Sequence, residues 1–188
     1  MTRYRINEIF RSLQGEGYWT GTPMLFLRMA GCNLRCPFCD TDFEDFTEMT
    51  ADDIISALKA FPPTDTVCIT GGEPTLQIDA PLIGALHKAG YRLHIETNGT
   101  RPVPDGIDWI TLSPKRDWIK HAGVVLEKAD EVKLVFTGQD ISQWASFPAK
   151  WHFLQPCSGQ NMAETAAQVL ADPVWRLSLQ THKIIGLK

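Results

Sequence analysis

At 188 residues, 44% of them apolar, the chain is long enough for one domain around a sizeable core. A net charge of −4 argues against a general nucleic-acid-binding surface, and no run approaches the roughly 18 apolar residues of a membrane span. Five cysteines form no even framework and the start, Met1–Glu8, is too polar for a signal peptide, so a reducing cytoplasm is the expected setting.

Tyr4–Phe10 is apolar and β-branched enough to be a strand, and Ser12-Leu13-Gln14-Gly15-Glu16-Gly17 follows it. Two glycines around a glutamate read as a plain hairpin loop or as a turn that brings backbone close to a ligand. The next strand, Met24–Met29, carries Arg28 near its end and leads into Gly31-Cys32-Asn33-Leu34-Arg35-Cys36-Pro37-Phe38-Cys39-Asp40-Thr41. Thr50–Asp53 has the form of a capping box, with Asp in place of Glu, and opens a helix over Ala51–Ala60 that Pro62 and Pro63 stop. A short buried strand, Thr66–Thr70, precedes Gly71-Gly72-Glu73-Pro74. A second helix over Ile78–Ala89 places Ile78, Leu82, Ala85, Leu86 and Ala89 on one face, with Gly90 as its end signal.

Tyr91–Thr97 is the next strand, followed by Asn98-Gly99. The pattern then repeats less regularly: strand Trp109–Leu112, the loop Ser113-Pro114-Lys115, strand Val132–Phe136 and a short helix around Ile141–Phe147. Strand Trp151–Leu154 leads to Gln155-Pro156, Asn161–Glu164 caps a helix to about Ala171, and strand Trp175–Leu179 precedes the tail Gln180–Lys188. No internal repeat or linker interrupts this order. Alternating strands and helices imply a parallel sheet with helices on its faces. The chain falls short of the roughly 250 residues of a complete eight-fold barrel, so the expected fold is an incomplete α/β, or (β/α), barrel of about six mostly parallel strands with shortened helical coverage. Such folds carry chemistry at the C-terminal ends of their strands, where the cysteine loop, Gly71–Pro74, Thr97–Gly99, Ser113–Lys115 and Gln155-Pro156 all fall.

Cys32, Cys36 and Cys39 form a C-x3-C-x2-C pattern that can converge on one metal centre. A closed zinc site or an ordinary four-iron cluster takes four protein ligands, so without a fourth one metal position stays open to a substrate or cofactor. The alternatives are buried core thiols, three quarters of a zinc site completed from a distance, and a redox pair. Flanking Gly, Asn, Arg and Pro speak against the first. Cys68, inside an apolar strand, and Cys157 are expected to be structural. His94 alternates with apolar neighbours and reads as a hydrogen-bonded interior or face residue, His87 as solvated at a helix end, and the six tryptophans as core or interface anchors. His182 is a candidate to approach the site.

The cysteine spacing, placed after a strand, resembles that of the radical S-adenosylmethionine (SAM) enzymes. That resemblance implies a 4Fe–4S cluster on Cys32, Cys36 and Cys39, whose remaining iron binds the amino and carboxylate groups of SAM. Gly71-Gly72-Glu73-Pro74 is similar to the family's GGEP motif, which contacts the SAM amino group. Leu13–Gly17, Arg28, Cys39-Asp40-Thr41, Glu96–Gly99, Ser113–Lys115 and Gln180–Lys183 together resemble the 7-carboxy-7-deazaguanine synthase family over nearly the whole chain. In that family 6-carboxy-5,6,7,8-tetrahydropterin becomes 7-carboxy-7-deazaguanine with loss of ammonia, on the route to queuosine. The resemblance implies Leu13, Gln14, Gly15, Glu16, Arg28 and Thr97 as substrate-binding residues. It implies Phe38, Cys39, Asp40, Gly72, Glu73, Gly99, Ser113, Pro114, Lys115 and Gln155 as SAM-binding ones. It also implies Thr41 as a ligand to Mg²⁺, an electron donor such as flavodoxin or ferredoxin, and a homodimer. Two rival readings are an activase of glycyl radical enzymes, which Gln14–Glu16 and Arg28 oppose, and a non-enzymatic zinc-binding module.

Overall fold

The frame of the computed structural model, which describes residues 2–188, is one nine-stranded sheet whose alternating side chains separate onto two faces. In β2 (Pro23–Met29), Leu25, Leu27 and Met29 join the helix-side core, while Met24, Phe26 and Arg28 turn inward. The neighbouring β4 (Thr66–Gly71) and β5 (Arg92–Thr97) repeat the split, with Val67, Ile69, Leu93 and Ile95 outward and Cys68, Thr70, His94 and Glu96 inward. Two helices cover this outer face: α1 (Ala51–Lys59) buries Ile54 and Leu58, and α2 (Ala80–Lys88) buries Leu82, Ile83 and Leu86. A second core forms where β6 (Trp109–Leu112), β7 (Ala129–Phe136), β8 (Ala149–Pro156) and β9 (Trp175–Leu177) meet the short α3 (Ser142–Ala145) and α4 (Met162–Ala171).

The strand order is β3-β1-β2-β4-β5-β6-β7-β8-β9, with β3 at Thr47–Met49 and β1 at Tyr4–Leu13. Every pair from β2 to β9 is parallel, so seven strands make the expected incomplete barrel, one more than anticipated. β1 pairs antiparallel with both β2 and β3. The three residues of β3 escape a sequence reading because Thr47 and Glu48 are exposed at an edge and show no apolar alternation. β1 runs on to Leu13 because its register with β2 continues to Leu13↔Pro23. β7 starts at Ala129, ahead of the expected Val132, because the buried Glu131 pairs with Trp151 although its type argues against a strand.

The capping box at α1 forms as read: Thr50 Oγ1 accepts from Asp53 N at 3.2 Å, and Thr50 N donates to Asp53 Oδ2 at 2.9 Å. α2 starts at Ala80, later than the expected Ile78, because Asp79 caps it by accepting from Leu82 N at 3.0 Å and Pro81 fits the first turn. Asn161 stands at the N-cap position of α4 as expected, but its side chain makes no cap hydrogen bond. Its side chain accepts from Cys157 N at 2.9 Å and donates to the Phe136 carbonyl at 2.8 Å, pinning the turn after β8. β9 ends at Leu177, short of Leu179, and the tail folds into α5 (Thr181–Ile184).

The sheet does not close on itself; other segments bridge its ends. The β1–β2 loop tucks inward, where Gly17 N donates to Ser178 Oγ at 2.9 Å. The tail returns the contact, with Thr181 N and Oγ1 both donating to the Gly15 carbonyl at 3.0 Å. Among the described residues no helix is long and apolar enough to cross a membrane.

Candidate active site

The inner face is built in three levels, and the floor is aromatic. Tyr18 stacks between Trp109 and Trp151, with ring centroids 5.1 and 5.0 Å away, and Trp19 packs on His94 at 5.2 Å. Burial among these rings pushes the His94 pKa down to about 4, so this histidine is neutral and belongs to the plug. Phe10 and Phe26 stack at 4.9 Å beside it.

Above the floor lies a ring of polar side chains. Lys133, on β7, is buried, and its ammonium is paired with Glu16 and lies 3.2 Å from Glu96 Oε2. Gln14 Nε2 donates to Glu96 Oε1 at 3.0 Å, its Oε1 accepts from Glu16 N at 3.1 Å, and Gln180 Nε2 donates to Glu16 Oε1 at 2.8 Å. Burial alone would raise the Glu16 pKa, but the charge and hydrogen bond of Lys133 and the bond from Gln180 hold it below the ordinary carboxylate value. Burial likewise works against the Lys133 cation, and Glu16, Glu96 and Glu131 outweigh it.

The third level is the set of loops at the C-terminal strand ends. Here Gly71 (φ 137°) and Gly72 are required by close approach: a Cβ on the first would strike the Met29 carbonyl, and on the second the Gly31 carbonyl. Gly72 N donates to Met29 O at 3.1 Å and Glu73 N to Gly31 O at 2.9 Å, lacing this turn to the cysteine loop. Glu73 is buried; it accepts from Thr75 N, Thr75 Oγ1, Thr97 Oγ1 and Asn98 N at 3.1, 2.6, 2.7 and 2.7 Å. Its carboxylate is therefore spent on joining the loops after β4 and β5.

These levels enclose a cavity of about 430 Å³, a size suited to small-molecule ligands. Leu13, Gln14, Gly15, Glu16, Arg28 and Thr97 all border it, as do Phe38, Asp40, Thr41 and Gly72. So do Ser113, Lys115 and Gln155. Three residues of the expected set are not on its wall: Glu73, Gly99 and Pro114. Gly99, at φ 73°, packs against Leu112 and Val124, and Pro114 is buried. The Arg28 guanidinium lies over the Phe10 ring at 5.5 Å, with Glu8 3.8 Å away. Lys115 folds back on Ser113, donating to its carbonyl at 2.7 Å and to its hydroxyl at 2.5 Å.

The cavity also takes residues that sequence reasoning did not assign: Thr70, Glu96, Lys133, Gln180, Lys183 and Lys188. Glu96, Gln180 and Lys183 stand in segments that carry the family resemblance, and Glu96 and Lys133 are charges at inward positions of their strands. No signal exists for Lys188, which reaches Glu8 only through the path of the tail. His182, a candidate in the sequence, does reach the wall.

Among the described residues no three His, Cys, Asp or Glu side chains meet at a single ion position. An iron–sulfur cluster makes a different demand: it is a body with one thiolate per iron, so its ligands must face a common space. Cys32, Cys36 and Cys39 do so, all opening onto the cavity from one loop. Burial raises the pKa of Cys32 and of Cys36, opposed at Cys32 by the Leu34 N–H at 3.4 Å and at Cys36 by the charge of Lys115. Thiols of this kind are deprotonated by the metal they bind. Cys68 is buried within β4 with its thiol pKa pushed far up by burial, and Cys157 lies in the turn beyond β8, so neither supplies a fourth ligand from this wall. The donor set fits a cluster with one iron open.

Residues 26–147 match the Radical SAM superfamily model. The fold and the three-thiol cavity are those of a radical SAM enzyme, a class defined by a 4Fe–4S cluster and SAM. A protein of Bacteroides thetaiotaomicron named 7-carboxy-7-deazaguanine synthase is 55% identical over 98% of both chains, and one of that name from Bordetella pertussis is 42% identical over 98% of this chain and 99% of its own. The crystal structure of QueE from Escherichia coli superposes with a TM-score of 0.79 at 30% identity, covering 94% of this chain and 93% of that one. The chain belongs to the 7-carboxy-7-deazaguanine synthase family, and is a lyase.

Proposed function

We propose that this chain converts 6-carboxy-5,6,7,8-tetrahydropterin to 7-carboxy-7-deazaguanine with loss of ammonia, in queuosine and deazapurine biosynthesis. The observation that carries the reading is a single cavity wall that joins three thiols to a fork-shaped cation and a carboxylate–amide ring. When bound, the cluster and SAM supply the one-electron chemistry that removes a hydrogen atom from the substrate. The chain's own side chains bind, orient and exclude water. Gln14, Glu16 and Glu96 present acceptors and a donor to a pterin edge. Arg28 offers its planar fork to the substrate carboxylate. The aromatic floor closes the lower end to water, which would otherwise quench reactive species. Gly72, Ser113, Lys115, Gln155, Phe38, Cys39 and Asp40 would hold SAM, and Glu73, Gly99 and Pro114 would act behind that wall.

Thr41, on the wall two residues beyond Cys39, would hold a Mg²⁺, which would supply positive charge for the substrate carboxylate. The chain works as a single domain in a reducing cytoplasm, takes its electron from flavodoxin or ferredoxin, and pairs as a homodimer. Exposed Val174 and Leu177, at the edge strand β9, support that pairing. The deciding experiment is anaerobic turnover of the carboxylated tetrahydropterin with SAM and a reductant, with and without a Mg²⁺ chelator. Product with one ammonia released, and a rate that falls on chelation, is the expected result. No product from cluster-loaded protein would overturn the substrate, and indifference to chelation would remove Mg²⁺ from Thr41.

A further inference from the structure

Glu16 and Glu96 lie side by side in the polar ring with their one shared cation, Lys133, between them. Each carboxylate has about four acceptor positions. Glu16 spends two, on Lys133 and Gln180, and Glu96 spends two, on Lys133 and Gln14. Acceptor capacity is thus left over on both, and both border the cavity with side chains 14% and 23% exposed. Glu131 is different: it accepts from Thr111 Oγ1 and Tyr18 N, both at 2.9 Å, in the floor and off the cavity wall. An apolar side chain would fill the Lys133 position in β7 without the desolvation that an ammonium incurs, so its presence there asks for a reason beyond packing.

We propose that Lys133 is a positioning residue for substrate recognition: its ammonium, clasped between Glu16 and Glu96, keeps both as carboxylate acceptors aimed at the amine and amide donors of the pterin edge. The inference rests on the pterin reading above and adds a residue that would act through two others. Without the cation, two adjacent carboxylates in a buried ring would share a proton at neutral pH, and the pair would then titrate as a unit. A protonated carboxyl has lost acceptor capacity, so ligand would be held by the ionised form. The other titratable groups facing the ring stay in place: His182, whose pKa burial lowers, faces Glu16 from the tail, Lys115 approaches from the loop after β6, and Glu131 from β7 itself.

The test measures the dissociation constant of the carboxylated tetrahydropterin by anaerobic titration calorimetry, without reductant, on cluster-loaded full-length protein from pH 6 to 9. Lys133→Met keeps the length and drops the charge. Its dissociation constant is expected to exceed the wild-type value and to fall by up to about tenfold per unit of rising pH below the shared titration, while the wild type stays flat. In Lys133→Met/Glu16→Gln the pH slope should vanish although binding remains weak, since one acid no longer has a neighbour to share a proton with. An elevated but pH-independent constant in Lys133→Met, or an unchanged one, would overturn the proposal. If Lys133→Met fails to fold while the double variant folds, charge pairing is upheld; if both fail, the role is packing and the proposal is lost. Wild-type protein that does not bind the pterin at all refutes the proposed substrate instead.

Discussion

Arg28 shows how much one side chain is asked to do. Its guanidinium is flanked by Glu8 and laid over Phe10, which fixes the plane of the fork before any ligand arrives. Arg28→Lys keeps the charge and loses the plane, so KM for the pterin should rise about tenfold or more with a smaller change in kcat. Unchanged kinetics would place the carboxylate elsewhere. For the thiols, Cys36→Ala should abolish the bound iron, read by the brown absorption of the purified protein, whereas Cys68→Ala should leave it intact because that thiol lies inside the sheet. Iron content equal to wild type in Cys36→Ala would sink the three-thiol cluster. At this scale the sequence was most legible where spacing is itself the chemistry, as in Cys32, Cys36 and Cys39. It was least legible where a charge works through distant partners. Glu73 could be read as a ligand contact from its motif, yet beside the two local donors of Thr75 its carboxylate accepts from Thr97 and Asn98, which only the fold brings near.

Among the elements, the apolar parallel strands and the two capped helices could be read because each is signalled locally. Ile54 and Leu58 recur on one face of α1, and Thr50 and Asp53 answer each other within a single turn. The antiparallel β3 and the charged start of β7 could not, since both owe their place to pairing with another strand, β1 and β8, and carry no apolar pattern of their own. The turn after β4 sits between these cases: two glycines announce a tight approach, and the structure says to what. Gly72→Ala must push the Gly31 carbonyl and the Cys32 side chain, so it moves the cluster loop itself. That substitution should lower iron occupancy and abolish SAM cleavage while the far-ultraviolet circular dichroism stays native. Gly84→Ala, in α2 with open space around its Cβ, is the control, and should leave iron unchanged and raise stability by about 0.5–1 kcal/mol. Normal iron loading and SAM cleavage in Gly72→Ala would show that the loop yields where the backbone contact says it cannot.

At the scale of the whole molecule, an open sheet has to be closed by something other than strands. The inward β1–β2 loop does this from below and the C-terminal tail from the side. Thr181 is bonded to Gly15, Lys183 to Asp40, Lys188 to Glu8, and Ser12 Oγ donates to the Lys188 carbonyl at 2.7 Å. These are polar, largely exposed contacts made by a segment whose Ile184 and Ile185 remain in solvent, so the tail contributes little to the core. It nonetheless supplies cavity wall through His182, Lys183, Leu187 and Lys188. Truncation after Gln180 keeps the bond to Glu16 and removes the rest of that wall. The melting temperature should then drop by only a few degrees, in line with a loss of about 1–2 kcal/mol. Binding and coupling should suffer far more: KM for the pterin should rise about tenfold or more, and SAM should be cleaved without a matching yield of product as water enters the opened side. A truncated protein that melts far below the wild type would make the tail a structural strap. One that retains both KM and a one-to-one ratio of product to SAM cleaved would show that the seven parallel strands and the inward loop seal the site alone.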